Sequence, residues 1–444
     1  MTLADISTYV NERISSDKVS LEDYVTTDSL MQDKRGREIA QNLPPVTCAL
    51  TRYQKGDVLV ANIRPYLKKV WYADKDGGCS SDVLVFRAKE GHSSDFLYAV
   101  LMNDTFYDYA MLGTKGSKMP RGDKEQIMRY HIPTFSSQEE ENVGTMIVDI
   151  TSKIAVNRQI NDNLEAMAKQ LYDYWFVQFD FPNKNGRPYK SSGGKMVWNE
   201  KMKRDIPQGW EVKNLIEFAD IKNGATPSTA DETNYGGDIV WVTPKDLSDQ
   251  RSKFIYKSER TITERGFDSC STSMLPIGSV LMSSRAPIGL VSIAKKNVCT
   301  NQGFKSLVPH NFLDTSYLYY YIKRHISQIE QLGSGTTFKE VSREDLCKFP
   351  ILVVGDNIQY HRWVEAQNKI SERQFILVKE IAELTKQRDE LLPLLMNGQA
   401  GINYHLFLLI SSTTRSAMSI LAARCSGVAR RSRMGEISKW SKGA

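Results

Sequence analysis

The stretch KGDVLVANIRP (Lys55–Pro65) decides the fold, because the chain carries a second version of it, IGSVLMSSRAP (Ile277–Pro287). Glycine, valine, leucine and proline stand at matching places in the two copies. Each copy is followed by apolar runs, alternating or continuous, that Gly, Asn and Asp interrupt, which is typical of a compact domain rich in strands. A chain of 444 residues is also too long for one ordinary core. We therefore expect two globular domains built on one repeated frame.

Each domain is followed by a long stretch in which the positions of one seam recur at alternating spacings of three and four residues. This is the periodicity of a coiled coil, and each helix would be about 60 Å long. We expect the two helices to pack antiparallel within the chain, and an intermolecular coiled coil is the alternative. Polar seam residues would fix the register at some cost in stability. The seam positions are Ile147, Ile150, Ile154, Asn157, Asn161, Leu164, Ala168, Leu171 and Trp175 in the first stretch, and Trp363, Gln367, Ile370, Gln374, Leu377, Ile381, Leu384, Arg388, Leu391 and Leu395 in the second.

Charge is distributed unevenly along the chain. Residues 397–444 hold seven basic residues and one acid and so account for the whole net charge of +6. Binding to nucleic acid must therefore depend on local patches, such as Phe179–Arg204 with seven basic residues and two acids. The six cysteines lie far apart, which predicts neither a disulfide framework nor a metal site. No signal peptide or membrane-spanning run is apparent, so we expect a cytoplasmic protein that does not insert into membranes.

Motifs for catalysis are missing from the sequence. There is no phosphate-binding G-x-x-x-x-G-K-[ST] loop, no G-x-G-x-x-G after a strand and no His pair at i, i+4. The Asn-Pro-Pro-aromatic or Asp-Pro-Pro-aromatic motif of amino-methyltransferases is also missing. We predict no catalytic residues and no resident cofactor in this chain.

Three further stretches resemble the specificity subunit of type I restriction-modification enzymes. They are FDFPNKNGRPYKSSGGKMVWNEKMKRDIPQGWE (Phe179–Glu211), IKNGATPSTADETNYGGDIVWVTPKDL (Ile221–Leu247) and KQRDELLPLLMNGQ (Lys386–Gln399). The order of domain, long helix, domain and long helix agrees with that family over about residues 1–400. The resemblance implies an α+β fold, in which two strand-rich target-recognition domains are separated by two long antiparallel coiled-coil helices in a pseudo-twofold internal repeat.

The resemblance also implies a layout of six segments. We expect a first target-recognition domain at 1–136, a first long spacer helix at 137–178, a basic linker at 179–205, a second target-recognition domain at 206–355, a second long spacer helix at 356–396 and an atypical, weakly ordered tail at 397–444.

The function implied by the resemblance is recognition of DNA without catalysis. Each domain would read one half of a bipartite site in double-stranded DNA, and the helices would set the spacing and dock adenine methyltransferase subunits. Restriction or motor subunits would join the complex, and S-adenosylmethionine, ATP and magnesium would bind to the partner subunits of a prokaryotic, cytoplasmic system. The alternatives are a stand-alone nuclease or methyltransferase, a coiled-coil scaffold that binds only proteins, and a relative without a motor partner.

Candidate DNA contacts are polar and basic residues on the repeated frame, because base edges are read by such side chains on a rigid support. Arg64 and Arg285 are the foremost candidates for DNA contact, since each lies close to a proline that stiffens the chain as it leaves a strand. The large aromatic residues Trp71, Trp241 and Tyr319–Tyr321 are predicted to belong to the core. The candidates are Asn62, Arg64, Tyr66, Lys68, Lys69, Lys115, Lys118 and Arg121 in the first copy, and Ser283, Ser284, Arg285, Asn301, Gln302, Thr336, Thr337 and Lys339 in the second.

Overall fold

A computed structural model describes residues 1–397 except positions 115, 117, 251, 286, 335–338 and 356. The expected weak order of the tail thus concerns residues that, from 398 onward, lie outside the described part. The chain divides into two compact units. Unit 1 contains Met1–Gln159 together with the chain from Lys379, and unit 2 contains Ile160–Val378. The division falls inside both long helices, so each unit contains one globular domain and a part of each helix.

The globular domain of unit 1 contains two four-stranded sheets. In the first sheet, the strand order is β1-β8-β5-β6 and all neighbours are antiparallel. In the second, the order is β2-β4-β7-β3, and β3 pairs with β7 in parallel. The strands are β1 Ser7–Tyr9, β2 Arg13–Ser15, β3 Tyr24–Val25, β4 Ala49–Tyr53, β5 Val58–Ala61, β6 Val70–Tyr72, β7 Gly77–Cys79 and β8 Val83–Ala88, and the helices are α1 Leu3–Ile6, α2 Ser94–Met102, α3 Asp104–Leu112 and α4 Lys124–Met128.

The strand β5 reads VLVA, and all four of its side chains are buried. Successive side chains of a strand point to opposite faces of the sheet. Accordingly, Val58 and Val60 belong to the cluster that α2 covers, whereas Leu59 and Ala61 belong to a second cluster with Trp71. A continuous apolar run is therefore required here, because both faces of the strand are covered.

The first long helix, α5, runs over Ser137–Tyr172 for 36 residues and ends in a π turn, Asp173–Val177. A short hairpin follows, with β9 at Met196–Asn199 and β10 at Arg204–Pro207.

The globular domain of unit 2 has its largest sheet in the order β12-β19-β16-β17-β14, beside smaller sheets β15-β13-β18 and β11-β20. Its strands are β11 Glu211–Asn214, β12 Ala219–Asn223, β13 Tyr235–Val242, β14 Phe254–Ile255, β15 Thr261–Ile262, β16 Val280–Ser284, β17 Ile288–Ala294, β18 Val298–Thr300, β19 Lys305–Pro309 and β20 Pro350–Val353. Its helices are α6 Pro244–Asp249, α7 Glu264–Asp268, α8 Thr315–Arg324, α9 Ile326–Gln331 and α10 Arg343–Cys347, and the second long helix is α11, Ile358–Met396, of 39 residues.

The internal repeat is visible in the sheets. The antiparallel order β1-β8-β5-β6 of unit 1 recurs as β12-β19-β16-β17 in unit 2, so the two quoted stretches occupy the same position. In both domains the strand that carries a buried cysteine, Cys79 or Cys299, pairs in parallel with an earlier strand. Unit 2 differs by the added strand β14, which pairs in parallel with β17. The predicted α+β fold with two strand-rich domains and two long helices is confirmed.

The long helices contact each other within each unit. In unit 1, Ile147 and Ile154 of α5 share a cluster with Leu392 and Leu395 of α11. In unit 2, the Gln367 amide donates to the Ala168 carbonyl at 2.8 Å, and the Gln374 amide lies 3.5 Å from the Asn161 carbonyl. From Gln367 to Gln374 along α11, the partner on α5 moves back from Ala168 to Asn161, so the two helices pack antiparallel.

The predicted seam residues are buried to different degrees. Ile147, Ile150, Ile154 and Leu377 are fully buried, and Leu164, Leu171, Ile370, Ile381, Leu384 and Leu391 are partly buried. Coiled-coil geometry as such stays a prediction.

Aromatic residues dominate the core of unit 2 around the helices. Trp363 is 1% exposed, and its ring centroid lies 4.8 Å from that of Phe176 and 6.1 Å from that of Tyr317. The prediction that Trp71, Trp241 and Tyr319–Tyr321 belong to the core is confirmed by their burial. Within the described residues, every helix is too short or too polar to cross a lipid bilayer.

Candidate nucleic-acid interface

The ends of β5 and β16 are held by the same pair of backbone hydrogen bonds. In unit 1, the Asn62 N–H donates to Asp82 O at 2.8 Å, and Asn62 O accepts from the Gly122 N–H at 3.1 Å. In unit 2, the Ser284 N–H donates to Gly303 O at 2.8 Å, and Ser284 O accepts from the Val341 N–H at 3.0 Å. Strand pairing with a later loop thus closes the frame in the same way twice.

Asn62, Ser283 and Ser284 are buried, although the sequence favoured them as DNA contacts. The Ser283 hydroxyl donates to Pro287 O at 2.7 Å and accepts from the Leu290 N–H at 2.9 Å. In this structure the three residues belong to the frame, and direct contact with DNA stays a prediction for them.

The chain leaves β5 in a tight turn that exposes two side chains. Arg64 adopts a left-handed backbone conformation, with φ of 52°, and caps the short 3-10 helix Pro65–Leu67. A non-glycine residue in this region stores strain, and such residues cluster at functional sites. Arg64 is exposed, and Tyr66 at the tip of the turn is 50% exposed. The turn therefore presents a guanidinium and a phenol on a fixed backbone.

The far side of this turn is anchored by two lysines. The Lys68 ammonium lies 2.9 Å from a carboxylate oxygen of Asp104, the first residue of α3. The Lys69 ammonium donates to Thr27 O at 2.5 Å, and desolvation lowers the pKa of this lysine below its ordinary value. Both side chains already have partners within the domain, so they support the turn that carries Arg64.

The second loop of unit 1 meets the turn directly. The Arg64 N–H donates to Pro120 O at 2.8 Å, and Ile63 forms an antiparallel bridge with Arg121. The Arg121 side chain is 58% exposed and pairs with Asp82 at 3.1 Å. Lys118 is exposed in the same loop, and the candidate Lys115 lies outside the described residues.

In unit 2, the equivalent place holds a cluster of three charged residues. Glu340 lies 3.0 Å from the Lys305 ammonium and 3.7 Å from the Arg285 guanidinium. The Lys305 side chain is largely buried, whereas Arg285 and Glu340 are each partly exposed. Lys339 beside them is exposed, and the candidates Thr336 and Thr337 lie outside the described residues. The cluster combines a donor and an acceptor at the end of β16.

Asn301 and Gln302 lie on the loop before β19 and are engaged locally. The Asn301 side-chain oxygen accepts from the Gly303 N–H at 2.9 Å, and the Gln302 side-chain oxygen accepts from the Thr226 hydroxyl. Asn301 is partly buried and Gln302 is exposed. These contacts shape the loop and leave Gln302 at the surface.

The structure thus brings Arg64 and Arg121 together in unit 1, and Arg285 and Lys339 together in unit 2. Sequence reasoning missed Asp82, Lys305 and Glu340, which complete the two clusters. Alignment of the loops MPRGD and FKEVS after the repeated frame would have revealed Glu340 opposite Arg121. Among the described residues, no group of three His, Cys, Asp or Glu side chains is arranged to hold a metal ion.

Comparison with known proteins gives the following similarities. A family model for the type I restriction modification DNA specificity domain matches residues 207–394. The type I restriction enzyme MjaIX specificity subunit of Methanocaldococcus jannaschii is 39% identical over 158 residues, which are 34% of this chain and 37% of that protein. The HindI specificity subunit of Haemophilus influenzae is 24% identical over 455 residues, covering 90% of this chain and 98% of that protein.

One solved structure supports the fold. The crystal structure of a type I restriction-modification system S subunit from M. genitalium superposes with a TM-score of 0.61 at 13% identity. The superposition covers 89% of this chain and 95% of that one. At this identity the likeness concerns the fold alone.

Proposed function

We propose, from the premise that this chain belongs to the family of type I restriction-modification specificity subunits, that each of its domains reads one half of a bipartite DNA site. The chain is the DNA-recognition subunit of such a system and has no catalytic role of its own. Methyltransferase subunits dock on the long helices, which set the spacing between the half-sites.

One observation carries this proposal: a single strand frame occurs twice and ends in different charged side chains. Arg64 and Arg121 lie at the end of the frame in unit 1, and Arg285 and Glu340 lie at its end in unit 2. Arginine donates two hydrogen bonds to guanine, whereas a carboxylate accepts from the amino group of cytosine. Two such ends that differ in donor and acceptor character suit two half-sites of different sequence.

The division into segments supports the same roles. We assign base reading to residues 1–136 and 206–355, spacing and docking to 137–178 and 356–396, and a contact with the phosphate backbone to the basic linker 179–205. In that linker six basic side chains are exposed, namely Lys184, Arg187, Lys190, Lys195, Lys201 and Lys203. Because these six side chains are exposed, they are available to phosphates.

Cofactors belong to the partner subunits in this proposal. S-adenosylmethionine serves methyl transfer, and ATP with magnesium serves a restriction or motor subunit, if the system retains one. The complex acts in the cytoplasm of a prokaryotic cell. These assignments follow from the family and are tested together with it.

The deciding experiment maps adenine methylation across the genome of a strain from which this chain is deleted. We expect one bipartite motif to lose methylation while every other methylated motif is unchanged, which serves as the internal control. An unaltered set of motifs would refute the proposal.

A second experiment assigns the half-sites. Exchange of residues 1–136 for those of another family member should change one half of the motif and leave the other half intact. A change in both halves would contradict one domain per half-site. Binding of the purified complex to DNA without any sequence preference would instead favour a protein-binding scaffold.

A further inference from the structure

A buried lysine in unit 1 reaches a carboxylate on a long helix. The Lys34 side chain is only 6% exposed, and its ammonium lies 3.4 Å from Asp389 of α11 and 2.9 Å from Asp104 of α3. Burial works to raise the pKa of Asp104, but the hydrogen bonds from Lys34 and Lys68 outweigh it and keep that pKa low. Lys34 therefore joins the globular domain to α11 through charges on both sides.

Unit 2 contains a contact of the same kind. The Lys253 side chain is 5% exposed, and its ammonium lies 2.9 Å from Glu165 of α5 and 2.9 Å from the Tyr320 hydroxyl. The Gln374 amide of α11 donates to the same Glu165 oxygen at 3.1 Å. Desolvation lowers the pKa of Lys253, and the charge and hydrogen bond of Glu165 oppose that shift.

The two lysines occupy corresponding places in the repeat. Lys34 follows β3 and Lys253 follows β13, and these are the strands that pair in parallel with β7 and β18. In each unit, the carboxylate comes from the long helix that follows the other domain: α11 follows the second domain and α5 follows the first. A chance surface contact would not recur in both copies with a buried lysine and with reciprocal helices.

Each lysine is also tied to the candidate interface of its own domain. The Lys34 N–H donates to Lys68 O at 2.8 Å, on the turn that carries Arg64. Lys253 O accepts from the Ile293 N–H at 2.7 Å and from the Ser292 hydroxyl at 2.9 Å, both on β17 beside β16. Each lysine thus contacts a long helix with its side chain and the strand frame of its own domain with its backbone.

Burial of an ion pair adds little net stability, since desolvation of the charges offsets their attraction. Its effect is on geometry: a domain that rotated on the helix would leave the buried ammonium without its carboxylate partner, which is strongly unfavourable. A purely apolar contact at the same place would tolerate a range of angles, because hydrophobic attraction has no direction.

We propose that Lys34 and Lys253 are positioning residues that fix each recognition domain on the long helix following the other domain. The inference rests on the proposed function and deepens it, because a fixed angle of each domain is what makes the subunit select one spacer length. Neither lysine needs to touch DNA for this role.

Unit 2 offers the cleaner test, because Asp389 in unit 1 also binds Arg388. The full chain is expressed with its genomic methyltransferase partner as wild type, K253M and the double variant K253M/E165M. Methylation is measured on DNA with the cognate spacer and with spacers one base pair longer or shorter, and thermal unfolding is recorded alongside. K169M is the matched control, since the Lys169 side chain of α5 is 65% exposed and pairs with Asp173 in the π turn that follows.

We expect the double variant to unfold close to wild type, because both charges are removed together. Its preference for the cognate spacer should nevertheless fall, by up to about 100-fold if the domain shifts by 1 Å. K169M should behave as wild type in both measurements. A double variant that retains the wild-type spacer preference would overturn the proposal.

If the methionine variants do not fold, E165Q decides, because it keeps the shape of the side chain and removes only its charge. Reduced spacer preference in E165Q supports the positioning role, and an unchanged preference refutes it. Failure of the proposed function is recognised separately, since wild type itself would then show no bipartite motif.

Discussion

Arg121 in the first domain and Glu340 in the second lie at the same place in the repeat and carry opposite charges. Arg121 pairs with Asp82 at 3.1 Å, whereas Glu340 is held by Lys305 at 3.0 Å. The backbone beside them does not differ, because the next residue donates to the end of β5 or β16 in each domain. The frame is thus specified by main-chain bonds and apolar burial, which leaves the charged side chains at its end free to diverge.

The side chains that pack between the long helices α5 and α11 also differ between the two units. In unit 1, α5 and α11 meet through aliphatic residues such as Ile154 and Leu395. In unit 2, they meet around a group of aromatic rings centred on Trp363. Aromatic side chains bury more area per residue and pack edge to face, so larger side chains make the helix contact in unit 2.

The largest effect is expected from Trp363→Ala, which should lower the free energy of unfolding by about 3–5 kcal/mol. Ile154→Val in unit 1 removes one methyl group and should cost about 0.5–1.5 kcal/mol. Denaturant titration followed by circular dichroism measures both. Met167→Ala is the control, since Met167 is 56% exposed. Equal midpoints for Trp363→Ala and this control would show that the aromatic group does not hold unit 2.

The ion pairs of Arg121 in unit 1 and Glu340 in unit 2 should contribute differently to the free energy of unfolding. Glu340→Gln removes the counter-charge of the largely buried Lys305 and should cost about 1–3 kcal/mol in free energy of unfolding. Arg121→Gln breaks a mostly exposed pair and should cost less than about 1 kcal/mol. The same titration compares them, and a reversed order would mean that the two clusters are not built as described.

Substitutions in the two domains should alter sequence specificity in different half-sites. Arg64→Ala and Arg285→Ala should each weaken binding to the cognate DNA by about 1–3 kcal/mol and relax base preference in one half-site only. Competition binding with DNA substituted at each position measures this. Lys55→Ala serves as control, because Lys55 is exposed before the start of β5. Loss of preference in both half-sites from one substitution would contradict independent reading.

A smaller, uniform effect is expected from Lys118→Ala and Lys339→Ala. Both lysines are exposed on equivalent loops, and contacts with phosphate carry no sequence information. Each substitution should weaken binding equally for all sequences and reduce the salt slope of the binding constant by about 1. A change in base preference would instead identify the lysine as a base contact.

The smallest effect is expected from Ser284→Ala. The Ser284 hydroxyl is buried and has no hydrogen-bond partner among the described residues, so its removal should change the free energy of unfolding by less than about 1 kcal/mol. Base preference should be unaltered. A selective loss in one half-site, measured by methylation of substituted DNA, would identify Ser284 as a DNA contact.

Local patterns were enough to predict the repeat and the helices. The apolar run of β5 and the long helical stretch of α5 depend on near neighbours, and the structure has a strand and a helix there. The parallel pairing of β3 with β7 was not predicted, because Val25 and its partner Cys79 lie 54 positions apart in the sequence. Such pairings depend on closure of long loops, which no local pattern encodes.

The sequence by itself determined a protein of two matched strand domains, each followed by a long helix, since periodicity and turn residues act locally. Only the tertiary structure decided that Asn62 and Ser284 are buried while Arg64 is exposed, because burial depends on what the rest of the chain brings alongside. It alone brought Lys34 to Asp389 and Lys253 to Glu165. A charge far away in sequence becomes a partner only when folding removes the water between them.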